Sequence, residues 1–145
     1  MSKADEAVAL FNQGYNCSQA LLATFGPELG LDRGLALKAA GPFGGGIARS
    51  GDLCGAVTGA VMAIGLRYSS DQVDPEAKAR SYAAVHRMLQ EFQSRHGSIV
   101  CRDLLGCDIG TEEGRAEAQA RDTHHTVCPQ FVRDAAEILE RILAE

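Results

Sequence analysis

The sequence has no tryptophan and only eight other aromatics, five Phe and three Tyr. It has no CxxC pair, which excludes zinc-finger, thioredoxin and bacterial ferredoxin ligand patterns. Without CxxCH there is no covalent haem site. Basic residues are in deficit, 14 Lys and Arg against 19 Asp and Glu for a formal charge of −5, and no basic stripe appears. Nucleic acid and anionic membrane surfaces are therefore poor partners. The most apolar stretch, Leu53 to Leu66, is 14 residues long, short of the roughly 20 that span a bilayer, and reads as a buried core helix. The first residues, Met1-Ser2-Lys3-Ala4-Asp5-Glu6, carry no charged-then-apolar leader, so a cytoplasmic location is expected. The glycine-rich segment Gly41 to Gly51 lacks a Lys-Ser/Thr ending, a preceding strand and a dinucleotide fingerprint. It reads as a tight connection passing close to something bulky.

What is present points to one domain over residues 1–145. The chain is 46% hydrophobic and 23% charged, with 16 Gly and 22 Ala. That length buries about 68–70% of the unfolded surface, so the core needs no disulfide. Helical periodicity dominates. Phe131, Val132, Ala135, Ile138, Leu139, Ile142 and Leu143 recur at three-and-four spacing, as do Tyr82, Val85, Leu89 and Phe92 within a charged stretch. Near the start, Ala7, Val8 and Phe11 form one stripe, and Cys17, Leu21, Thr24 and Phe25 another. Breaks fall at Gly26-Pro27, Gly41 to Gly46, Ser69 to Asp74, Gly106 and Gly110, and none is a domain linker. Thr111 to Val127 reads as a polar helix followed by a loop. No alternating polar–apolar run marks a strand. The expectation is an all-α single-domain bundle of five to seven helices around a Gly/Ala-rich central helix at Leu53 to Leu66. Gly55, Gly59 and Ala63 give that helix a small face on which neighbouring backbones approach closely.

Five cysteines, with no visible leader to an oxidising compartment, favour metal binding or thiol chemistry over structural disulfides. Successive spacings are 37 residues from Cys17 to Cys54, 47 to Cys101, 6 to Cys107 and 21 to Cys128. Context separates them. Asn16 caps a helix opening at Cys17; Ser50 or Asp52 caps the one Cys54 opens; Ser98 caps a short one carrying Cys101; and Cys128 precedes Pro129, a residue favoured at the first helical position. Unpaired N–H groups and the helix dipole at such ends lower a thiol's pKa and stabilise anions. Cys107, just past a glycine at a helix C-terminus, lacks that setting. Against this stands the plain alternative that free cysteine is a small hydrophobe in an Ala-rich core. For four cysteines in one electrostatic setting the functional reading is ahead.

These blocks together resemble the C_GCAxxG_C_C family of redox-active proteins. The resemblance is carried by Gly14-Tyr15-Asn16-Cys17-Ser18-Gln19-Ala20, Phe43-Gly44-Gly45-Gly46-Ile47, Cys54-Gly55-Ala56-Val57-Thr58-Gly59, Gly97 to Gly106, and Cys128-Pro129 before the last helix. The family name writes GCAxxG where this chain has Leu53-Cys54-Gly55-Ala56. The resemblance implies a small helical redox protein whose four characteristic cysteines fall on Cys17, Cys54, Cys101 and Cys128, with Cys107 an extra. A similar domain associated with multihaem cytochromes implies electron transfer and an iron–sulfur centre.

Three functions follow as expectations. The first is an iron–sulfur cluster held by Cys17, Cys54, Cys101 and Cys128 for electron transfer or sensing, with an unidentified redox partner protein. A zinc ion on the same thiolates is its structural variant. The second, with no metal, is thiol–disulfide chemistry. The third is an interaction module with packed thiols. Convergence of the four sulfurs on one site is expected under the first two. Tyr15, Phe43 and Arg49 flank the cysteine-bearing turns and are candidates to line the site. His124 and His125 are candidates for a replacement ligand or proton donor, although a surface position is the better expectation for them and for His86 and His96. The Gly/Ala face and apolar stripes permit a homodimer.

Overall fold

Five of the nine α-helices start at side chains that take up the unpaired N–H groups of a first turn. Ser2 and Asp5 form a reciprocal capping box on α1 (Lys3–Asn12), and Asn16 and Gln19 form another on α2 (Cys17–Phe25). Asp32 caps α3 (Arg33–Ala40), and Asp74, followed by Pro75, caps the long α5 (Pro75–His96). Thr111 caps α7 (Glu112–Arg121). The remaining helices are α4 (Gly55–Tyr68), α6 (Cys101–Leu105), α8 (Thr123–Thr126) and α9 (Cys128–Leu143). The computed structural model describes residues 1–145 and contains no strand. The all-α expectation holds. Nine helical segments exceed the expected five to seven because α6 and α8 have only five and four residues. A single turn is too short to write an apolar stripe into the sequence.

The central helix α4 begins two residues later than the periodicity placed it. Leu53 is drawn into an isolated antiparallel bridge with Val100, and the Cys54 N–H donates to the Ile99 carbonyl at 2.9 Å. From Gly55 onward the helix is buried along Ala56, Val57, Gly59, Ala60, Ala63 and Ile64. It packs on α2 above all, and on α5 and α9. Those neighbours supply the bulk that α4 lacks: Leu21 and Leu22, Met88 and Phe92, Val132, Ile138 and Leu139 are essentially inaccessible to solvent. The amphipathic α1 and α9 close the other side, joined by a hydrogen bond from Arg133 to Asp5 at 3.0 Å.

Two expectations for α5 are corrected. Tyr82 is 58% exposed, with the Lys78 ammonium 5.6 Å from its ring centre. The inward face is Ala77, Ser81, Ala84, Met88 and Phe92, because a Gly/Ala face on α4 brings the helices close enough to admit small side chains at their contact. His96 is not a solvated surface residue either. It lies 4.7 Å from Phe92 and edge-on to Phe131 at 4.9 Å, with Nε2 2.9 Å from the Asp134 carboxylate.

Between α2 and α4 the tightest approach is at Gly59. A Cβ there would stand 2.7 Å from the Ser18 carbonyl oxygen and 2.8 Å from the Leu21 Cβ. Both obstacles belong to the body of α2, so neither swings aside. Gly59→Ala is therefore expected to destabilise by about 1–3 kcal/mol, despite the roughly 1 kcal/mol of helix propensity that alanine adds. Gly59→Leu is expected to prevent folding. Denaturant midpoints of the two variants check this.

Candidate redox site

Each cysteine reaches the site through its own backbone device. The Asn16 side chain accepts from Gln19 N–H at 2.8 Å and donates to the Gly41 carbonyl at 2.9 Å, which sets Cys17 at the first position of α2 and ties it to the following loop. Cys54 is the N-cap of α4 itself. Next to it, a Cβ on Gly55 would lie 3.0 Å from the Cys17 Cβ, so the missing side chain at 55 is what admits Cys17 beside Cys54. The bridge at Leu53 and Val100 continues into a bond from Cys101 N–H to the Asp52 carbonyl at 2.6 Å, which holds Cys101 alongside the same segment. Cys128 opens α9 ahead of Pro129. Its thiol and that of Cys17 influence each other's ionisation, raising Cys17 and lowering Cys128.

The segment between α3 and α4 wraps this group in an unusual conformation. Gly45, Gly46, Ile47, Ala48 and Arg49 have φ of 67°, 71°, 65°, 51° and 61°, one turn of left-handed helix. For L-residues this costs roughly 1–2 kcal/mol each, and Ile47 is β-branched, the type least suited to it. Hydrogen bonds hold the turn, from Ala48 N–H to the Pro42 carbonyl at 2.7 Å, Arg49 N–H to Gly44 at 2.9 Å and Asp52 N–H to Gly46 at 2.9 Å. At Gly46 a Cβ would lie 2.7 Å from the Cys101 Cβ. The loop backbone thus lies against a site cysteine, the close passage expected of this segment.

Together these devices bring Cys17, Cys54, Cys101 and Cys128 to the wall of one cavity of about 900 Å³. Tyr15, Arg49, His124 and His125 line it as well; Phe43 does not. The sequence reading missed Phe11, Arg115 and Phe131 in the lining: α1 and α7 carry no cysteine, and Phe131, one turn after Cys128, reads as part of the apolar core stripe of α9. Phe11 stacks on His124 with ring centres 4.5 Å apart. His125 points its Nδ1 at Asp122, 2.7 Å away, and is exposed. Cys107 stands outside the lining, buried, with its sulfur 3.8 Å from the Leu105 carbonyl oxygen.

The helix-end positions stand, but their expected effect on the thiols is overturned for three of the four. Burial pushes Cys54 up to about 11, and the N–H groups of Ala56 and Val57, acting the other way, do not offset it. Burial likewise raises Cys101 to about 12, with the neighbouring thiolate charges of Cys54 and Cys128 adding to it. Cys17 is held well above the usual thiol range, first by the neighbouring Cys128 thiol, then by burial and by the charges of the other three. Only Cys128 is lowered, by the Cys17 thiol. A dipole of about half a charge cannot replace the water that burial removes from an anion. The caps also differ in detail. Val100, not Ser98, is the N-cap of α6, although Ser98 Oγ accepts from Val100 N–H at 3.0 Å. Val127 precedes Cys128 in that role.

No three or more His, Cys, Asp or Glu side chains stand at spacings that would hold a metal ion as they are. The donor chemistry nonetheless suits a soft metal centre: four sulfurs face one cavity, and their mutual repulsion as thiolates is what a bound cation removes. No helix is long and apolar enough to cross a membrane.

Among known proteins, the family model described as "Putative redox-active protein (C_GCAxxG_C_C)" matches residues 15–142, which includes all four of these cysteines. No curated protein and no solved structure matches the chain.

The thiol environments set an order of reactivity and a pH dependence. Near pH 8, in metal-free protein, Cys128 is expected to be alkylated before Cys17, Cys54 and Cys101, as mass spectrometry of partly labelled chain would show. The raised values of Cys54 and Cys101 mean that the folded chain keeps protons which the unfolded chain releases from about pH 9. The stability they contribute is present below pH 9 and lost as pH rises through 11 and 12. Metal-free protein should lose about 1–2 kcal/mol between pH 9 and 11 beyond the loss shown by Cys54→Ala. Melting temperatures across that range read the difference.

Proposed function

The chain belongs to the C_GCAxxG_C_C family, and we propose from that membership that Cys17, Cys54, Cys101 and Cys128 hold an iron–sulfur cluster for electron transfer. The observation that carries this is convergence. Four cysteines as much as 111 residues apart open onto one cavity, an arrangement whose loop-closure cost casual packing of a small hydrophobe would not require. Four thiolates are the ligand set of [2Fe–2S] and [4Fe–4S] clusters, which supply one-electron chemistry. Zinc would accept the same donors but carries no electrons, which fits a redox-active family less well. The chain's own contribution is electrostatic and steric. The N-termini of α2, α4 and α9 offset negative charge at the sulfurs, and the loop at Gly46 and the missing side chain at Gly55 keep backbone, rather than water, against them. The electrons would pass to a redox partner protein at the cavity mouth.

One observation favours a second reading. Cys17 and Cys128 line the same cavity and shift each other's ionisation in opposite directions, Cys128 being the more acidic, which suits a dithiol–disulfide couple. There an external oxidant accepts two electrons and two protons as the S–S bond forms.

Iron and acid-labile sulfide analysis of anaerobically purified protein separates the two. The expected result is a brown protein containing iron and sulfide, with cluster content lost in the Cys→Ser variants at 17, 54, 101 and 128 and retained in Cys107→Ser. Colourless, iron-free protein that loses two thiols on mild oxidation would replace the cluster with the disulfide couple.

A further inference from the structure

Beside the cysteine cavity lies a second hollow of about 520 Å³, lined by Ala48, Arg49, Ser50, Asp108, Gly110 and Arg115. Ala48, Arg49 and Arg115 line both spaces, so the two form one path to the thiols. Arg87, Arg95, Arg102, Arg133 and Arg141 are each paired with a carboxylate. Arg49 and Arg115 are not, nor are Arg33, Arg67, Arg80 and Arg121, but only Arg49 and Arg115 line this hollow. The Arg115 side chain donates only to the Ile109 carbonyl at 3.1 Å, and both guanidiniums are exposed. The one carboxylate in the hollow, Asp108, accepts from Gly110 N–H at 2.8 Å, leaving a net positive rim on a chain of formal charge −5.

The position of Arg49 is also conformationally costly. It ends the left-handed turn at φ 61°, where glycine would relieve strain. Its stem folds over Gly45, where a Cβ would lie 2.8 Å from the Arg49 Cγ. Retaining a long cationic side chain on such backbone is explained by what that side chain binds. We propose that Arg49 and Arg115 bind the oxyanion, carboxylate or phosphate, of a small molecule whose other end reaches the cysteine cavity. Guanidinium presents paired N–H groups to either oxyanion. The anion site stands on the rim alone; only what happens to the bound molecule rests on the redox reading.

Calorimetric titration of the full chain with inorganic phosphate and, separately, with succinate tests the rim. Saturable binding of at least one is expected, weakened tenfold or more in Arg49→Gln and Arg115→Gln and unchanged in Cys107→Ser. The preferred anion identifies the group recognised. Arg49→Gly should lose binding without a fall in melting temperature, since glycine accepts the left-handed backbone. No saturable binding of either anion to the parent, or equal binding by both glutamine variants, would overturn the proposal. So would loss of binding in step with a lower melting temperature in all three arginine variants, which would make the arginines structural. Reach is read by alkylation of Cys128. The rate with anionic iodoacetate relative to neutral iodoacetamide should drop several-fold in Arg49→Gln, and an unchanged ratio would separate the rim from the thiols. The titration does not depend on iron and the alkylation is carried out on metal-free protein, so absence of a cluster leaves this result standing.

Discussion

At Gly55 and Gly59, α4 offers bare backbone, and α2 comes down on it until the Ser18 carbonyl and the Cys17 Cβ occupy the places where side chains would project. The rest of the site hangs on this contact. It sets Cys17 beside Cys54 at the mouth of α4. It also leaves the bulk of the core to be supplied by α2, α5 and α9, whose leucines, Met88 and Phe92 close around a helix that is largely Gly, Ala and Val. Close-packed interiors leave no slack in which such a contact can drift, so the spacing of two cysteines 37 residues apart is enforced by the core rather than by the site.

Two opposing effects act on the thiols once they are there. Helix N-termini favour thiolates; burial disfavours them. The outcome is mixed because the balance is local. Cys54, enclosed at the N-cap of α4, stays protonated far into the alkaline range, while Cys128, its ionisation shifted by Cys17, is the acidic member. A group of soft donors kept neutral by desolvation and by one another has much to gain from a bound cation, which cancels repulsion and supplies the missing counter-charge. The same group, left without metal, has in Cys17 and Cys128 one pair of mutually perturbed thiols on which two-electron oxidation can act. The two functional readings thus differ in which relief of the same electrostatic tension the protein uses.

The left-handed turn from Gly45 to Arg49 shows strain held in place by surroundings that over-determine it. Its hydrogen bonds to Pro42, Gly44 and Gly46 carbonyls are short-range, but its position is fixed from outside, by Asn16 reaching the Gly41 carbonyl and by Cys101 against Gly46. A segment of glycine-rich chain thereby becomes a rigid wall, with Arg49 at its rim.

Local chemistry written in adjacent residues was readable from the chain alone. The helical class came from three-and-four spacing, the start of α2 from Asn16, the tight α4 face from Gly55 and Gly59, and the separation of Cys107 from the other cysteines from its place after a glycine. Each depends on neighbours within a turn or two. Tertiary structure decided what depends on distant partners. His96 is enclosed because Phe131 and Asp134 come from α9, and α4 starts late because Leu53 bridges to Val100. Arg115 reaches the cavity although α7 bears no cysteine. The thiols titrate against the helix-end expectation because burial is a property of the whole packed chain, and desolvation of an ion outweighs the dipole of the helix that carries it.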